Sequence, residues 1–593
     1  MAQNTQEMSA AILLKLDDEI KRRLSGKRAE QVAAFAKIYY STVAAEDLLR
    51  WRLDDLYGAT LSSWEYLQKL LPGQPKVRVF NPGFEAHGWQ SAHTVVQVLS
   101  DDLPFILDSL RVELNHRNLG IHAVHNAVFS LKRDTQHLFA GFLSARSRAK
   151  AVRHETLVSV EVDRHTDPAH LQDLEQALYD VFYQVAMVVD DFQPMLAQVD
   201  QLLAMYESIS VSQHPQGLAE AREFLRWLKE HFTFLGYDEY QLTSRRSKQL
   251  QSVMGSQLGL LKYCDDYCRA ELINDEQRAM GQFSLIPELL SFTKSPSKSR
   301  VHRPAYPDYI TLKRFDEKGN EVGESRFLGL YTSEVYLGKA RQIPVVRKKV
   351  DAVLARSERH EFSHDWKELL QILEVHPRDE LFQASIDELC QTAFGILHIH
   401  ERRQIRLFLR RDPFGQYISC LIYAPRDIYS TEFRLKVEKI LLQDLDCNRA
   451  EFNTYFSESI LARTHFVLRS DHGVPEMIDV ESLQHKIRDA AKTWSDEFYE
   501  ALVEALGEEQ GIALFNRYGR SFSTSYRDDF PARTAVVDVQ YMQGLSDAEP
   551  LALSFYLPLE QQQAGFSFKL FHLGAPLPLS DVLPMLENLG LRV

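Results

Sequence analysis

His360-Glu361-Phe362-Ser363-His364 has the spacing H-E-x-x-H. On a helix, that spacing sets two imidazoles on one face for zinc, with the glutamate as general base. The usual close third ligand is missing, because Lys367 stands near its place, and Glu388 is a distant substitute. Polar neighbours, Arg356 to Arg359 and Asp365, make this stretch read as a solvated linker, so a zinc hydrolase is the least favoured function. No metal is therefore expected. Cys264 and Cys268 have no second Cys or His pair at zinc-finger spacing, and read as buried thiols on one helical turn. Lys294, Lys298, Arg300 and Arg303, with His302 and Tyr306, form a basic run. It reads as a solvated loop, with an anion-holding site as the alternative.

Three strand-to-helix turns offer a different chemistry. Asp101, Asp102 and Pro104 form the first, Pro425, Arg426 and Asp427 the second, and Pro578, Ser580 and Asp581 the third. A helix start presents free N–H groups that can hold a carboxylate, and a nearby Asp can hold an ammonium. These turns are the candidate amino-acid effector sites, with plain helix capping as the competing reading. Nucleotide chemistry is absent from the glycine pattern. None of the 26 glycines is adjacent to another or separated from it by a single residue, so no Gly-x-Gly can approach a pyrophosphate. Gly338-Lys339-Ala340 lacks the rest of a P-loop. No catalytic or cofactor-binding residue is assigned.

The elements that must position these residues follow from periodicity. Residues 9–72 read as helices, with Leu13, Leu16, Ile20 and Leu24 on one face and Gly26 ending the first. In 76–191 the order is β-α-β-β-α. The strands are Thr94–Leu99, Ile121–Lys132 and Leu157–Val162; the helices open at Pro104 and Pro168. A closing strand would make this a ferredoxin-like unit. Residues 218–390 alternate helix and strand around the turn Asp316–Asn320, an element order like that of PAS sensors. Residues 403–505 repeat the first pattern, with Ile478–Leu506 as one long helix. The tail has strands Leu551–Leu557 and Phe566–His572, and a helix capped by Ser580. The fold class is multidomain α+β. The expected boundaries are 1–75 helical, 76–200 first module, 218–390 sheet domain, 400–510 second module and 530–593 an incomplete third module.

Composition sets the frame. The 593 residues suit about four domains at roughly 150 residues each. Lys+Arg 68 against Asp+Glu 82 gives −14, which argues against a nucleic-acid partner, since that affinity comes from Lys and Arg releasing counterions. No apolar run approaches the ~20 residues of a membrane span. Residues 12–19 alternate apolar and charged, unlike a signal peptide. Five cysteines, odd in number and sparse, suit a reducing compartment, so the cytoplasm is expected.

Several segments resemble a known family. Val79-Phe80-Asn81-Pro82, His87 to Thr94, Asp101 to Ser109, Phe234-Leu235-Gly236-Tyr237, Val301-His302-Arg303-Pro304, Phe327 to Ser333 and Pro377 to Phe382 resemble, in order, the N-terminal region of the large bacterial NAD-specific glutamate dehydrogenases. The resemblance implies ACT-like modules with a PAS-like module between them, serving assembly and allosteric response to amino acids. It implies a homo-oligomer and an amino-acid effector. The intact family enzyme oxidatively deaminates L-glutamate to 2-oxoglutarate and ammonia with NAD. Its catalytic Lys and Asp and its cofactor lobe have no match here, so no catalytic residue carries over. The third module is expected to be truncated. The alternative function is a free-standing amino-acid sensor.

Overall fold

The computed structural model describes residues 2–588 except 144–151, 210–214, 245–248, 263–282, 285–287, 362, 400–401, 403, 457–459 and 557–566. Cys264 and Cys268 lie outside the described residues. The chain divides into two compact units, residues 1–400 with 412–416, and 401–411 with 417–593. Among the described residues no helix is long and apolar enough to cross a membrane.

The first unit opens with helices α1 (Ala2–Arg23), α2 (Gly26–Tyr39), α3 (Ala45–Arg50) and α4 (Leu53–Leu67). Gly26 thus begins the second helix; α1 stops three residues earlier. Next come β1 (Lys76–Phe80), α5 (Phe84–His87), β2 (Thr94–Asp101), α6 (Ile106–His116), β3 (Ile121–Arg133), β4 (Phe139–Phe142), β5 (Arg153–Val162) and α7 (Pro168–Asp190). The antiparallel sheet runs β1-β2-β5-β3-β4. The expected β-α-β-β-α series is present as β2, α6, β3, β5 and α7. The strand flanking β2 is β1, which precedes the series rather than following its last helix.

Both faces of this sheet are covered. Val96, Val98, Val158 and Val160 pack on one side against Leu110 and Leu114 of α6 and Leu178 and Phe182 of α7. Leu99, Phe129, Leu131 and Leu157 pack on the other against Leu16, Ile20, Phe35 and Trp64. The N-terminal helices are therefore the second cover of the sheet. Double coverage explains why β2 is buried at seven successive residues, Thr94 to Ser100, rather than at alternate ones. A buried bidentate pair, Arg133 with Glu155 at 2.6 and 2.7 Å, ties β3 to β5. Arg133 also donates to the Leu67 and Gln68 carbonyls, which fixes the end of α4 on the sheet.

The same unit continues with α8 (Phe192–Ser208), α9 (Pro215–His231), β6 (Phe232–Ser244), β7 (Gln249–Ser252), β8 (Leu258–Gly259), β9 (Phe283–Ser284), β10 (Leu290–Lys294), β11 (Asp308–Phe315) and β12 (Glu321–Tyr331). The sheet order is β10-β11-β12-β6-β7-β9, with β8 on β6. Helices α10 (Ser333–Leu337), α11 (Val346–Arg356), α12 (His364–Glu374), α13 (Arg378–Gln383) and α14 (Ile386–Leu397) follow. They share one core with α8, α9 and the sheet.

In the second unit, β13 (Arg406–Arg411), β14 (Tyr417–Pro425), α15 (Thr431–Asp444), β15 (Arg449–Phe456), β16 (Leu461–Arg469) and α16 (Val480–Ala490) form a sheet of order β13-β14-β16-β15. This is again β-β-α-β-β-α, with the leading strand beside the second. The helix expected over 478–506 is two helices. α17 (Trp494–Leu506) starts afresh because Thr493 and Asp496 form a capping box, which satisfies the free N–H groups of a new helix start. α17 packs with α18 (Glu508–Tyr518), α19 (Thr524–Asp529) and α20 (Ala532–Gln543) around Phe498, Leu502, Leu514 and Val539. Last come β17 (Leu551–Tyr556), β18 (Ser567–His572) and α21 (Leu579–Asn588), with the two strands paired antiparallel.

Candidate functional site

A cleft of about 650 Å³ opens in the first module, between the α3–α4 connection and one end of the sheet. Its walls are Asp47, Arg50, Trp51, Arg52 and Asp55 on one side, Gln90 to His93 on another, and His122, Ala123 and Glu161 from the strands. The loop after α5 builds the middle wall. Gly88, at φ 72, ends that short helix in the left-handed region. A Cβ on Gly58 of α4 would meet the Gly88 carbonyl at 2.4 Å, so only glycine lets α4 and the loop approach this closely. Trp89 is then buried. The Gln90 N–H donates to Asp55 at 3.0 Å, and Arg164 donates to the Ser91 carbonyl at 2.8 Å. Thr94 donates to Asn81 at 2.8 Å, and Asn81 to the His165 carbonyl at 2.7 Å. The segment His87–Thr94, which carries part of the family resemblance, is thus a tied wall of this cleft.

Glu161 lies half-buried at the cleft floor. Burial raises its carboxyl above the ordinary range, against the lowering influence of His93 and the Ser91 hydroxyl. His93 stacks on His122 with ring centroids 4.1 Å apart. His122 reaches Asp163 at 2.8 Å, and this contact, with the Gly120 N–H, holds the Asp163 carboxyl below its ordinary value. Trp51 forms one wall and stacks on Trp89 at 5.6 Å. Behind it lies a smaller chamber of about 10 Å³, which shares Trp51, Ala123 and Glu161 with the cleft. There Trp89 Nε1 and His125 Nε2 are buried without a hydrogen-bond partner. Burial also depresses the His125 pKa, against the raising influence of Asp47.

The predicted turns lie elsewhere. Asp101 ends β2 and pairs with Arg153 at 3.1 Å; Asp102 and Pro104 are exposed. The helix starts at Ile106, two residues after Pro104, because Phe105 takes a left-handed conformation (φ 71) as its N-cap. Arg426 and Asp427 are exposed, and the Arg426 N–H donates to the Ile460 carbonyl. Ser430 caps α15, with its hydroxyl accepting from the Phe433 N–H. Ser580 lies inside α21 instead of capping it. The N–H groups of Asp581 and Val582 point to the Pro578 carbonyl, and the Ser580 hydroxyl donates to Asp581. The three turns belong to three different sheets.

The H-E-x-x-H pattern straddles a helix start. Ser363 is the N-cap of α12 and His364 its first residue, so His360 is not one helical turn from it. Among the described residues no group of three His, Cys, Asp or Glu could hold a metal.

The basic run is not the solvated loop expected. Ser295, Ser299 and Val301 are fully buried. Lys294 pairs with Asp308 at 2.8 Å and Asp379 at 3.2 Å. Burial opposes the Lys294 charge, but the two carboxylates raise its pKa well above the ordinary value. Burial and the nearby Asp379 push the Asp308 carboxyl up to about 7, against the pull of Lys294. Arg300 clasps Glu113 of α6 at 2.7 and 3.0 Å, and Arg117 holds its other oxygen at 2.8 Å. Burial alone would raise Glu113; the two guanidiniums hold it below its ordinary value. Phe105 packs on His302 at 4.7 Å, and both residues have φ 71. The turn at 101–105 and the basic run therefore meet as a charged and strained seam between the first sheet and the second. Three segments of the resemblance converge beside it. Arg303 donates to the Tyr331 carbonyl, Tyr331 stacks on Phe382 at 4.6 Å, and Arg378 donates to the Gly338 carbonyl at 2.6 Å.

The repeated β-β-α-β-β-α modules, joined by helical segments, define a multidomain protein of ACT type. Five family models match in order: glutamate dehydrogenase ACT1 domain (residues 35–178), helical motif 1 (343–402), ACT2 domain (406–495), helical motif 2 (501–545) and ACT3 domain (550–593). The first begins inside α2, so the N-terminal helices belong in part to that module. The NAD-specific glutamate dehydrogenase of Halomonas elongata is 45% identical over 99% of this chain, and that of Pseudomonas aeruginosa 42% over 100%. A more distant relative of the same name, from Mycobacterium tuberculosis, is 26% identical over 84%. The chain belongs to this glutamate dehydrogenase family. It spans 37% of the length of each of the first two relatives.

Proposed function

We propose that these residues form the regulatory and assembly portion of an NAD-specific glutamate dehydrogenase. The intact enzyme would oxidatively deaminate L-glutamate to 2-oxoglutarate and ammonia with NAD. The observation that carries this reading is the ordered match to ACT-domain and helical-motif models in a chain with no Gly-x-Gly anywhere in its 593 residues. Hydride transfer is thereby assigned to the part of the relatives that this chain does not match. The sheet domain between the modules is read as PAS-like, supported by a mixed α+β sheet whose first long strand, β6, lies centrally beside its last, β12. The assembly is a homo-oligomer in the cytoplasm, and the effector is an amino acid.

The test is an assay of the purified 593-residue chain for glutamate-dependent NAD reduction, with light scattering for its mass. No turnover above blank and a mass above the monomer are expected. Turnover that persists after the host enzyme is excluded overturns the reading.

A further inference from the structure

We propose that the cleft between the α3–α4 connection and the first sheet binds a free zwitterionic amino acid, its ammonium against Glu161 and its carboxylate against Arg52. The proposal deepens the regulatory reading above and rests on it. Three features of the cleft support it.

The lining carries both signs of charge. Asp47 and Glu161 face the same space as Arg50 and Arg52. A polyanion would meet the carboxylates and a simple cation the guanidiniums; a dipolar ion satisfies both. The two poles are also available. Asp55 already accepts from the Gln90 N–H, and Asp47 lies 3.9 Å from Arg50. Among the described residues Arg52 makes no ion pair, and Glu161 accepts a long contact of 3.4 Å from the Ser91 hydroxyl with His93 and His122 nearby. A ligand ammonium beside Glu161 would offset the cost that burial places on its charge.

Trp51 supplies an apolar wall against which a side chain can lie. Behind it, Trp89 Nε1 and His125 Nε2 are nine-tenths or more buried, yet unpartnered. Buried polar atoms seldom remain so, and the chamber they line has room for about one water. Because it shares Trp51 and Glu161 with the cleft, a ligand that moves the indole exposes these two atoms to a polar group or to the water it carries in.

The test uses the 593-residue chain and calorimetry with each of the twenty L-amino acids. The best binder is then compared with its own 2-oxo acid and its own decarboxylated amine. At least one amino acid is expected to bind, and both single-charge analogues at least tenfold more weakly. Glu161→Gln and Arg52→Ala should each weaken binding tenfold or more with a melting temperature no lower than that of the wild type. Trp51→Phe should remove the ligand-induced change in tryptophan fluorescence, a readout that holds even if one charge variant folds poorly. Analogues that bind as well as the amino acid overturn the zwitterion. Binding that survives both charge variants but is lost in Asp102→Ala moves the effector to the turn and overturns the cleft, while leaving the regulatory reading intact. No binding by any amino acid overturns the cleft as well. The regulatory reading fails separately, on NAD reduction by the chain itself.

Discussion

The first and second modules share one topology and differ in what lies on the second face of the sheet. Each runs β-β-α-β-β-α, and each places its leading strand beside its second. Each packs one sheet face on two helices of its own. In the first module, Leu99, Phe129, Leu131 and Leu157 give the opposite face an apolar centre, which α1, α2 and α4 cover. In the second, alternation puts Arg410, Ser419, Arg463, His465 and Arg469 on that face, interleaved with Phe408, Leu421, Tyr423 and Val467. There Ser419 meets His465 at 2.9 Å, and the Arg469 guanidinium lies 5.1 Å from the Tyr417 ring centre. The same backbone thus supports a second apolar core under helices in one case and a face of interleaved basic and apolar side chains in the other. The cleft exists in the first module because helices that cover a sheet face leave a gap at its edge.

The largest test of this contrast is aromatic. Phe129 on β3 is fully buried and stacks on Phe35 at 5.3 Å. Tyr455, which lies opposite Arg463 on the corresponding face of the matching strand β15, is 42% exposed. Phe129→Ala should cost about 3–5 kcal/mol and Tyr455→Ala under about 1 kcal/mol, read from urea midpoints of the unfolding transitions. Equal losses would mean the second cover contributes nothing. Charge repeats the comparison. Glu155→Ala strands the buried Arg133 and should cost about 3–5 kcal/mol. Asp471→Ala breaks an exposed pair with Arg449 and should cost less than about 1 kcal/mol.

A smaller effect depends on pH. The folded Glu161 carboxyl titrates above its unfolded value, so between the two the folded state holds the extra proton. The stability this contributes is complete below the unfolded pKa and is lost as pH rises through the folded one. Wild type should therefore lose stability relative to Glu161→Gln as pH rises from the ordinary carboxyl range. Urea midpoints at stepped pH check it; a flat difference removes Glu161 from the buried floor. His93, His122 and Asp47 face the same space and remain in both proteins. The most local expected change is Thr493→Ala, at about 1 kcal/mol. It should loosen the start of α17, seen as faster amide exchange at residues 494–497, with both sheets unaffected.

Much of the secondary structure was legible because it follows local rules. The run Thr94–Leu99 and the helix from Pro168 carry strong periodicity, and the structure has both. Lys76–Phe80 was missed although Val77 and Val79 alternate with charge, because five residues make a weak pattern. Thr493-Trp494-Ser495-Asp496 carried a capping-box signature inside an apparently continuous helix. The candidate site was less legible. The predicted turns are local features, whereas the cleft draws on residues from Asp47 to Glu161. The same distance in sequence hid the role of the basic run, since Arg300 and Glu113 are 187 positions apart.

Side-chain pattern alone determined most of the longer strands and helices, the order in which they repeat, and that no glycine pair can seat a pyrophosphate. These depend on neighbours within a few residues, where sterics and hydrogen bonding act directly. Only the tertiary structure decided that β1 takes the place beside β2, that the N-terminal helices form a second cover, and that His302 meets Phe105. Those outcomes depend on which apolar faces find each other, and burial has no direction along the chain.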